Sequence, residues 1–417
     1  MLASDGSRLP IWARLNNADS QARTVPEVRD DFPQLRQGSG TPRARIQCNV
    51  HRAPIFQGMI VDSLHIYHPF VHHRNWFHLF HFKRSTVSKL SNNTIALASR
   101  ATFFGDSTSD YRLPPRLALR QVAVSSDPVD RAHELRGAFA VVAGPETYGE
   151  ELLEHLPDLC LIARSGVGYD QIDTDAASRL GIHVTTTPGA NAQGVAEHAV
   201  SLLLNLVHQI PHYDRRVRNL EWRDGEFFPE VQGMTVGIIG LGRIGKALAG
   251  ILHALDAKVL AYDAASIADA PDYVTVCRTL NELLPQCRAI SLHVPLLEST
   301  KNLIGREELA KLPRGSYLIN TARGGTVDEA ALADALESGH IAGAGLDVLA
   351  TEPPTVDNRL LSFDTCVFSP HTASFGHRTI ERMTAMIAEQ LSDVSDGREP
   401  RGLVNAPLQA RFPIRVR

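Results

Sequence analysis

From residue 93 onward, short apolar runs alternate with longer stretches in which apolar residues recur at helical spacing. The first series of runs lies within residues 94–100, 120–126, 137–144, 159–166 and 181–187. A second series lies within residues 234–240, 258–263, 289–295, 316–320, 343–349 and 365–371. Regular alternation of strand and helix is typical of parallel sheets. The pattern therefore predicts an α/β fold with two parallel-sheet units.

Two longer periodic stretches predict how these units are connected. Residues 193–210 are too long for a strand and repeat apolar positions at helical spacing, which predicts a helix that joins the two units. Residues 378–397 predict a closing helix that returns the chain to the first unit. We therefore expect a discontinuous first domain, residues 93–190 and 372–405, and an inserted second domain, residues 191–371.

Residues 1–92 differ from the rest of the chain. They are rich in Arg and His and show neither strand alternation nor helical periodicity, so we expect a disordered N-terminal extension. Its histidines between His65 and His81 could bind a metal in principle, which leaves a metal-responsive variant as one hypothesis. They follow no fixed ligand spacing, however, and neither Cys nor carboxylate completes a set, so we predict no metal site.

Composition favours a small-molecule partner. The chain has 417 residues, is 43% hydrophobic and 21% charged, and carries a formal net charge of −4. This small charge gives no reason to expect a nucleic acid or a membrane as partner. The five cysteines form no CxxC pair, and no run approaches the length of a membrane span, so we expect a cytoplasmic protein.

A glycine-rich turn is the strongest local motif. Gly240, Gly242 and Gly245 follow an apolar strand, precede a helix, and are followed by a second strand that ends in Asp263, 18 residues beyond Gly245. Strand, glycine turn, helix and distant acidic residue together indicate a dinucleotide site. A carboxylate at Asp263 would accept hydrogen bonds from a ribose 2′-hydroxyl and repel a 2′-phosphate, which predicts NAD rather than NADP.

Three chemically active residues follow later strands of the same unit. Arg323 comes after the strand at 316–320, Glu352 after the strand within 343–349, and His371 after the strand that begins at 365. An arginine can hold a carboxylate and a carbonyl oxygen in fixed geometry. A histidine can donate the proton that a reduced 2-oxo group needs, and a carboxylate partner would orient its ring.

A second glycine motif lies in the first unit. Gly166, Val167 and Gly168 follow the strand within 159–166, and their backbone amides could form an anion nest for a substrate carboxylate. A simple turn between strand and helix is an equally good interpretation of this spacing.

Residues 93 to about 405 resemble the D-isomer-specific 2-hydroxyacid dehydrogenase family. The resemblance rests on motifs in the family's order, at residues 163–173, 186–204, 236–249, 293–305, 319–332, 343–354 and 369–376. It implies a Rossmann NAD domain and a flavodoxin-like substrate domain, each with a doubly wound parallel sheet. It also implies that Arg323 binds substrate, that Glu352 is the partner carboxylate, and that His371 is the proton donor.

The same resemblance implies further properties. Asp347 would bind the nicotinamide carboxamide, and members are usually homodimers built through the helix at 193–210. Other residues expected to line the cofactor are Arg243, Ile244, Pro295, Thr321 and Ala322.

Two points stay open within this resemblance. Phosphoglycerate dehydrogenases typically carry an arginine where this chain has Gly144-Pro145-Glu146, so a substrate phosphate there would face Glu146. The substrate is therefore undetermined beyond a small 2-oxo or 2-hydroxy acid. Transcriptional corepressors of this fold keep the same three residues, so the alternative function is that of an NAD(H)-sensing interaction protein.

Overall fold

The computed structural model describes residues 94–98, 112–122, 127–222, 227–265, 269–407 and 409–414. The chain divides into two units, Met1–Phe82 and Lys83–Arg417, and every described residue belongs to the second. The N-terminal extension expected at residues 1–92, with its histidines, lies outside the described residues.

The first sheet has five parallel strands in the order β2-β1-β3-β4-β5. This is the strand order of a flavodoxin-like, doubly wound sheet. Three short helices connect its later strands. The strands are β1 (Thr94–Ala98), β2 (Ala118–Gln121), β3 (Ala140–Ala143), β4 (Leu161–Arg164) and β5 (His183–Thr185), and the helices are α1 (Pro128–Leu135), α2 (Glu150–Glu154) and α3 (Thr174–Arg179).

The second sheet has seven parallel strands in the order β12-β11-β10-β9-β6-β7-β8. Its first six strands, β6 to β11, follow the Rossmann order, with a switch between β6 and β9. The strands are β6 (Thr235–Ile239), β7 (Lys258–Tyr262), β8 (Val274–Val276), β9 (Ala289–Leu292), β10 (Ser316–Asn320), β11 (Ile341–Leu346) and β12 (Cys366–Phe368). The helices between them are α6 (Arg243–Ala254), α7 (Leu280–Leu283), α8 (Arg306–Lys311) and α9 (Glu329–Glu337).

Three helices lie outside these connections. The helix α4 (Ala192–Val207) and the helix α5 (Ile210–Arg218) separate the two sheets along the chain, and α10 (His377–Ser395) follows β12. The single helix predicted at 193–210 stops at Val207; Gln209 has a φ of 51°, and the next helix begins at Ile210 with Pro211 as its second residue. A continuous helix is excluded because Pro211 has no N–H to donate to the carbonyl of Val207, four residues earlier, and its ring would clash with that carbonyl.

Alternating residues of the second sheet build two cores. On β6, Val236 and Ile238 join a core with α4 and α6, whereas Ile239 joins the core on the opposite face. Both faces of a parallel sheet are covered in this way, which explains why its strands read as apolar runs. Helix α10 buries Ile387 and Leu391 against the first sheet. The predicted doubly wound α/β fold is confirmed.

The structure also bears on metal binding, membrane insertion and the state of the cysteines. The described residues contain no group of three or more His, Cys, Asp or Glu side chains that could hold a metal ion. None of the helices in this part of the chain is both long and apolar enough to cross a membrane. The cysteines that the structure describes are free thiols, namely Cys160, Cys277, Cys287 and Cys366.

Candidate active site

The predicted site residues lie beyond the carboxyl ends of the strands of the second sheet. The loops after β6, β7 and β9 carry the glycine turn, Asp263 and Pro295, and those after β10, β11 and β12 carry Arg323, Glu352 and His371. Strands β6 and β9 are neighbours although they are not consecutive in the chain. In a doubly wound sheet the crevice at such a switch point binds the ligand.

The glycine turn is closed on one side and open on the other. Gly240 has a φ of 97°, and a Cβ there would lie 2.7 Å from the carbonyl oxygen of His293. A Cβ on Gly245 would lie 2.2 Å from the carbonyl oxygen of Gly240, so helix α6 packs directly on the turn. A Cβ on Gly242, the N-cap residue directly before α6, would meet no atom within 4 Å. The open side leaves room for a pyrophosphate at the helix N-terminus.

Asp263 faces this turn from the end of β7. Its Oδ2 accepts a hydrogen bond from the backbone N–H of Leu241 at 2.8 Å, and its Oδ1 accepts one from Ala265 at 2.9 Å. An acidic residue at this place binds the adenosine ribose in dinucleotide folds. The turn and Asp263 together fit a nicotinamide dinucleotide.

The other predicted cofactor residues surround the same switch point. Arg243 and Ile244 open helix α6, Pro295 follows β9, and Thr321 and Ala322 follow β10. The hydroxyl of Thr321 is buried and has no hydrogen-bond partner among the described residues. A buried hydroxyl is normally satisfied, so this atom is available to a ligand.

His371 and Glu352 form a hydrogen-bonded pair. The Nδ1 of His371 lies 2.7 Å from Oε2 of Glu352, and Oε1 of Glu352 accepts a hydrogen bond from the backbone N–H of Leu349 at 3.0 Å. Burial alone would raise the pKa of Glu352, but the hydrogen bonds from His371 and Leu349 and the charges of His371 and Arg323 together hold that pKa below its usual range. Glu352 is therefore ionised at neutral pH, and its negatively charged carboxylate contacts the imidazole of His371.

Arg323 reaches from the second sheet to the first. Its Nε and Nη2 donate hydrogen bonds to Oδ1 of Asp170 at 3.1 and 3.0 Å, and its Nη1 donates to the carbonyl of Ala322 at 2.7 Å. A Cβ on Gly168 would lie 1.5 Å from Nη2 of Arg323. The guanidinium thus fills space that exists only because residue 168 is glycine.

Only some of the backbone amides in the predicted anion nest are free to bind a ligand. The N–H of Gly166 donates to the hydroxyl of Thr187 at 3.1 Å, so this amide is engaged in the fold. Within the described residues, no hydrogen bond uses the N–H of Val167 or Gly168. Arg164 supports the loop by donating from Nε to the carbonyl of Gly168 at 2.9 Å.

Asp347 is the centre of a buried polar network. It is 2% exposed, and its Oδ1 accepts hydrogen bonds from the hydroxyl of Ser369 at 2.6 Å and from the N–H of Thr372 at 2.8 Å. Its Oδ2 accepts one from the N–H of Ala373 at 3.0 Å. The Nε2 of His198, on α4, lies 2.7 Å from the Ser369 hydroxyl. This network fixes the loop after β12, which carries the predicted proton donor.

Glu146 is buried, although the sequence led us to expect it opposite a substrate group. Its side chain is 9% exposed and folds back over Gly144. Burial raises its pKa, although the nearby Arg164 and Arg131 pull that pKa down. The residue therefore does not present an exposed charge to a substrate.

Sequence reasoning missed four residues of this site, namely Arg164, Asp170, His198 and Ser369. Arg164, Asp170 and Ser369 each lie two residues from a selected residue, and His198 lies in the helix predicted at 193–210, yet none has a distinctive spacing of its own. The only available signal was a carboxylate two residues after Gly168, at the end of the glycine motif. Its partner Arg323 is 153 positions away in the chain.

Comparison with known proteins identifies a family. The model of the D-isomer specific 2-hydroxyacid dehydrogenase NAD binding domain matches residues 200–373. A glyoxylate reductase from Korarchaeum cryptofilum is 40% identical over 266 residues, which cover 61% of this chain and 79% of that protein. The residues matched by the family model include the glycine turn, Arg323, Glu352 and His371.

The chain is also similar to a longer protein and to a solved structure. A D-3-phosphoglycerate dehydrogenase from Archaeoglobus fulgidus is 38% identical over 269 residues, which are 64% of this chain but 51% of that protein. Among solved structures, an NADPH-dependent glyoxylate/hydroxypyruvate reductase from Sinorhizobium meliloti, in complex with NADP and malonate, superimposes with a TM-score of 0.67. It is 30% identical, and the match covers 78% of this chain and all of that one.

The glycine turn yields a prediction about dinucleotide binding. In Gly245→Ala the new methyl group would collide with the Gly240 carbonyl, so we expect the Kd for NADH to rise at least about tenfold, which corresponds to about 1.4 kcal/mol. Fluorescence titration with NADH measures this. Gly250→Ala, on the same helix, is the matched control, because its Cβ would lie 3.5 Å from the Tyr273 hydroxyl, an ordinary contact. Equal affinity in both variants would contradict the prediction.

Proposed function

The chain belongs to the D-isomer specific 2-hydroxyacid dehydrogenase family and is a nicotinamide-dependent oxidoreductase; we propose that it interconverts a 2-oxo acid and its D-2-hydroxy acid with NAD. The observation that carries this proposal is the 2.7 Å contact between His371 and Glu352, at the sheet edge that also carries the glycine turn. An imidazole with a fixed partner beside a dinucleotide site is suited to couple proton transfer to hydride transfer.

Each part of the cofactor has proposed residues. Gly240, Gly242 and Gly245 would hold the pyrophosphate, and Asp263 would hold the adenosine ribose. When bound, the nicotinamide supplies or accepts a hydride, which is a proton and two electrons. We assign the remaining cofactor contacts to Arg243, Ile244, Pro295, Thr321, Ala322 and Asp347.

His371 is the proposed proton donor during reduction. Its Nδ1 is tied to Glu352, so Nε2 is the nitrogen that can give a proton to the carbonyl oxygen. The acid form is the imidazolium, and the neutral ring left after transfer still donates from Nδ1 to the carboxylate. The Glu352 carboxylate thus accepts this hydrogen bond in both forms and keeps the ring in one orientation. In the reverse direction the neutral Nε2 accepts the hydroxyl proton.

Arg323 is the proposed clamp on the substrate. Its permanent positive charge attracts the substrate carboxylate and stabilises the negative charge that develops on the carbonyl oxygen. The free N–H groups of Val167 and Gly168 lie on the loop that Arg323 contacts, and we assign them to the same carboxylate. Substrate binding therefore involves loops of both sheets.

A substrate panel combined with a histidine variant tests the function. NADH oxidation is followed with glyoxylate, hydroxypyruvate, pyruvate, phenylpyruvate, 2-oxoglutarate and phosphohydroxypyruvate. We expect turnover with at least one acid, and a fall in kcat of about 10²- to 10⁴-fold in His371→Asn with unchanged NADH binding. His133→Asn, at an exposed position on α1, should match the wild type. A folded wild-type protein that binds NADH and reduces none of these acids would refute the proposal and favour the interaction-protein alternative.

We propose NAD rather than NADP as the physiological cofactor, because the Asp263 carboxylate would lie beside a 2′-phosphate. Asp263→Asn keeps an oxygen for the Leu241 N–H but removes the charge. Since like charges in contact cost several kcal/mol, we expect the ratio of kcat/KM for NADPH to that for NADH to rise at least about tenfold. Asp272→Asn, at an exposed position before β8, should leave this ratio unchanged. A wild type that already prefers NADPH would overturn the proposal.

We also propose a homodimer. Large apolar side chains on α5 and the segment after it are exposed, among them Leu220 at 95% and Phe227 at 99%, together with Ile210, Val217 and Trp222. Exposed apolar patches of this kind mark interfaces, and tryptophan is enriched at their centres. Helix α5 directly follows α4, the helix through which the family resemblance implies dimers. A second copy of the chain is therefore the occupant we propose.

Light scattering tests the dimer. The wild type should have twice the mass of one chain, and Leu220→Asp with Trp222→Glu should shift the mass toward that of one chain, because burying two unpaired carboxylates is costly. Val129→Asp, which is also at an exposed apolar position but on α1, should not change the mass. A monomeric wild type would exclude the proposal.

We propose a cytoplasmic location. The described cysteines are free thiols, and three of them, Cys160, Cys277 and Cys287, are buried. Proteins of reducing compartments keep their thiols in this state.

A further inference from the structure

The ion pair between Arg323 and Asp170 joins loops of the two sheets. Arg323 follows β10 of the seven-stranded sheet, and Asp170 follows β4 of the five-stranded sheet. Two hydrogen bonds, at 3.0 and 3.1 Å, end on the same oxygen, Oδ1 of Asp170. Both side chains are partly buried, with 24% and 33% of their surface exposed, so solvent screens this pair less than a surface pair.

The hydrogen bonds of Arg323 leave one edge of its planar guanidinium available. The group carries five N–H bonds. Nε and Nη2 point to Asp170, and Nη1 gives one hydrogen to the carbonyl of Ala322. The remaining two hydrogens belong to Nη1 and Nη2, which form the end of the planar fork. This end can bind a carboxylate, or a carboxylate oxygen and a carbonyl oxygen, in a bidentate manner.

A second arginine, Arg164, lies near Arg323, because both side chains reach Gly168: Nε of Arg164 donates to its carbonyl at 2.9 Å, and Nη2 of Arg323 occupies the space beside its Cα. The Arg164 guanidinium lies against Gly166 of the β4 loop, where a Cβ would come within 3.3 Å of its Cζ. Burial lowers the pKa of Arg164, and the positive charge of Arg323 lowers it further, whereas Asp170 and Glu146 raise it. The two guanidiniums therefore repel each other, and Asp170 attracts both.

The ionisation state of Asp170 agrees with this role. Burial would raise its pKa, but the charge and hydrogen bonds of Arg323 outweigh burial and hold that pKa below its usual range. The carboxylate therefore stays ionised at neutral pH and keeps its attraction for both arginines.

We propose that Asp170 is a positioning residue for the reaction: it holds Arg323 by the Nε–Nη2 side, against the repulsion of Arg164, so that the Nη1–Nη2 end faces the substrate. This inference rests on the proposed function, in which Arg323 binds the substrate carboxylate. In this proposal Asp170 contacts neither substrate nor cofactor. It acts only through the orientation of Arg323.

A double-mutant cycle tests the proposal. Asp170→Ala and Asp170→Asn are made in the wild type and in Arg323→Lys, and KM, kcat and the Kd for NADH are measured with the best acid of the panel. Asp170→Ala should lower kcat/KM about 10- to 100-fold, mainly through KM, since a misplacement of about 1 Å at a reacting group has effects of this size. Asp170→Asn keeps an acceptor oxygen and should lose less. The Kd for NADH should not change.

The lysine background separates positioning from a general structural role. Lysine lacks the planar fork, so in Arg323→Lys the removal of Asp170 should change kcat/KM by less than about threefold. Asp173→Ala is the matched control: Asp173 lies in the same segment and caps α3 by accepting from Ala176 at 2.8 Å. It should lower stability without changing KM.

Two outcomes would overturn the inference while leaving the proposed function intact. One is an Asp170→Ala enzyme with the KM and kcat of the wild type. The other is an equal loss in both backgrounds, which would show that Asp170 supports the fold rather than Arg323. Failure of the wild-type protein to turn over any acid would instead refute the proposed function.

Discussion

Parallel pairing of the strands is the constraint on which the site depends. In each sheet it brings all carboxyl ends to one edge, so residues that are distant in the chain end up in adjacent loops. Arg323, Glu352 and His371 follow β10, β11 and β12, which are direct neighbours in the seven-stranded sheet. The reversal of winding between β6 and β9 then places the glycine turn beside them.

The loops at this edge are held by hydrogen bonds between their polar groups. The backbone N–H of His371 donates to the carbonyl of Asp347 at 2.8 Å, and Asp263 ties the end of β7 to the glycine turn. Glu352 is fixed both by His371 and by the N–H of Leu349. Each functional side chain therefore has a partner that restricts its rotation before any ligand binds, which is the preorganisation that catalysis requires.

The sequence predicted those features whose cause is local. The glycine turn could be recognised because its neighbours in the chain, a strand and a helix, give the motif its meaning, and Asp263 follows at a characteristic spacing. The closing helix was predicted to within two residues at each end, because its apolar positions repeat regularly. The break of the long helix at Gln209 was missed, although Pro211 was a signal for it.

Features that depend on tertiary contacts or on the direction of a single side chain could not be predicted in this way. Asp170 has an ordinary position before a helix, and only the fold brings it to Arg323. The use of the Gly166 amide by Thr187 is likewise a contact between neighbouring loops. A substrate phosphate beside Gly144 was expected to face Glu146, but the sequence pattern does not show that this side chain folds back over Gly144 and is buried.

The network around Asp347 has a consequence for how its substitutions are understood. The Asp347 carboxylate accepts hydrogen bonds from a serine hydroxyl and two backbone amides, so it orders the loop after β12 in the way that a bound anion orders a peptide. Removing it would release the segment that carries His371 as well as any contact with the nicotinamide. A loss of activity in such a variant would therefore measure the order of the loop and the binding of the cofactor together.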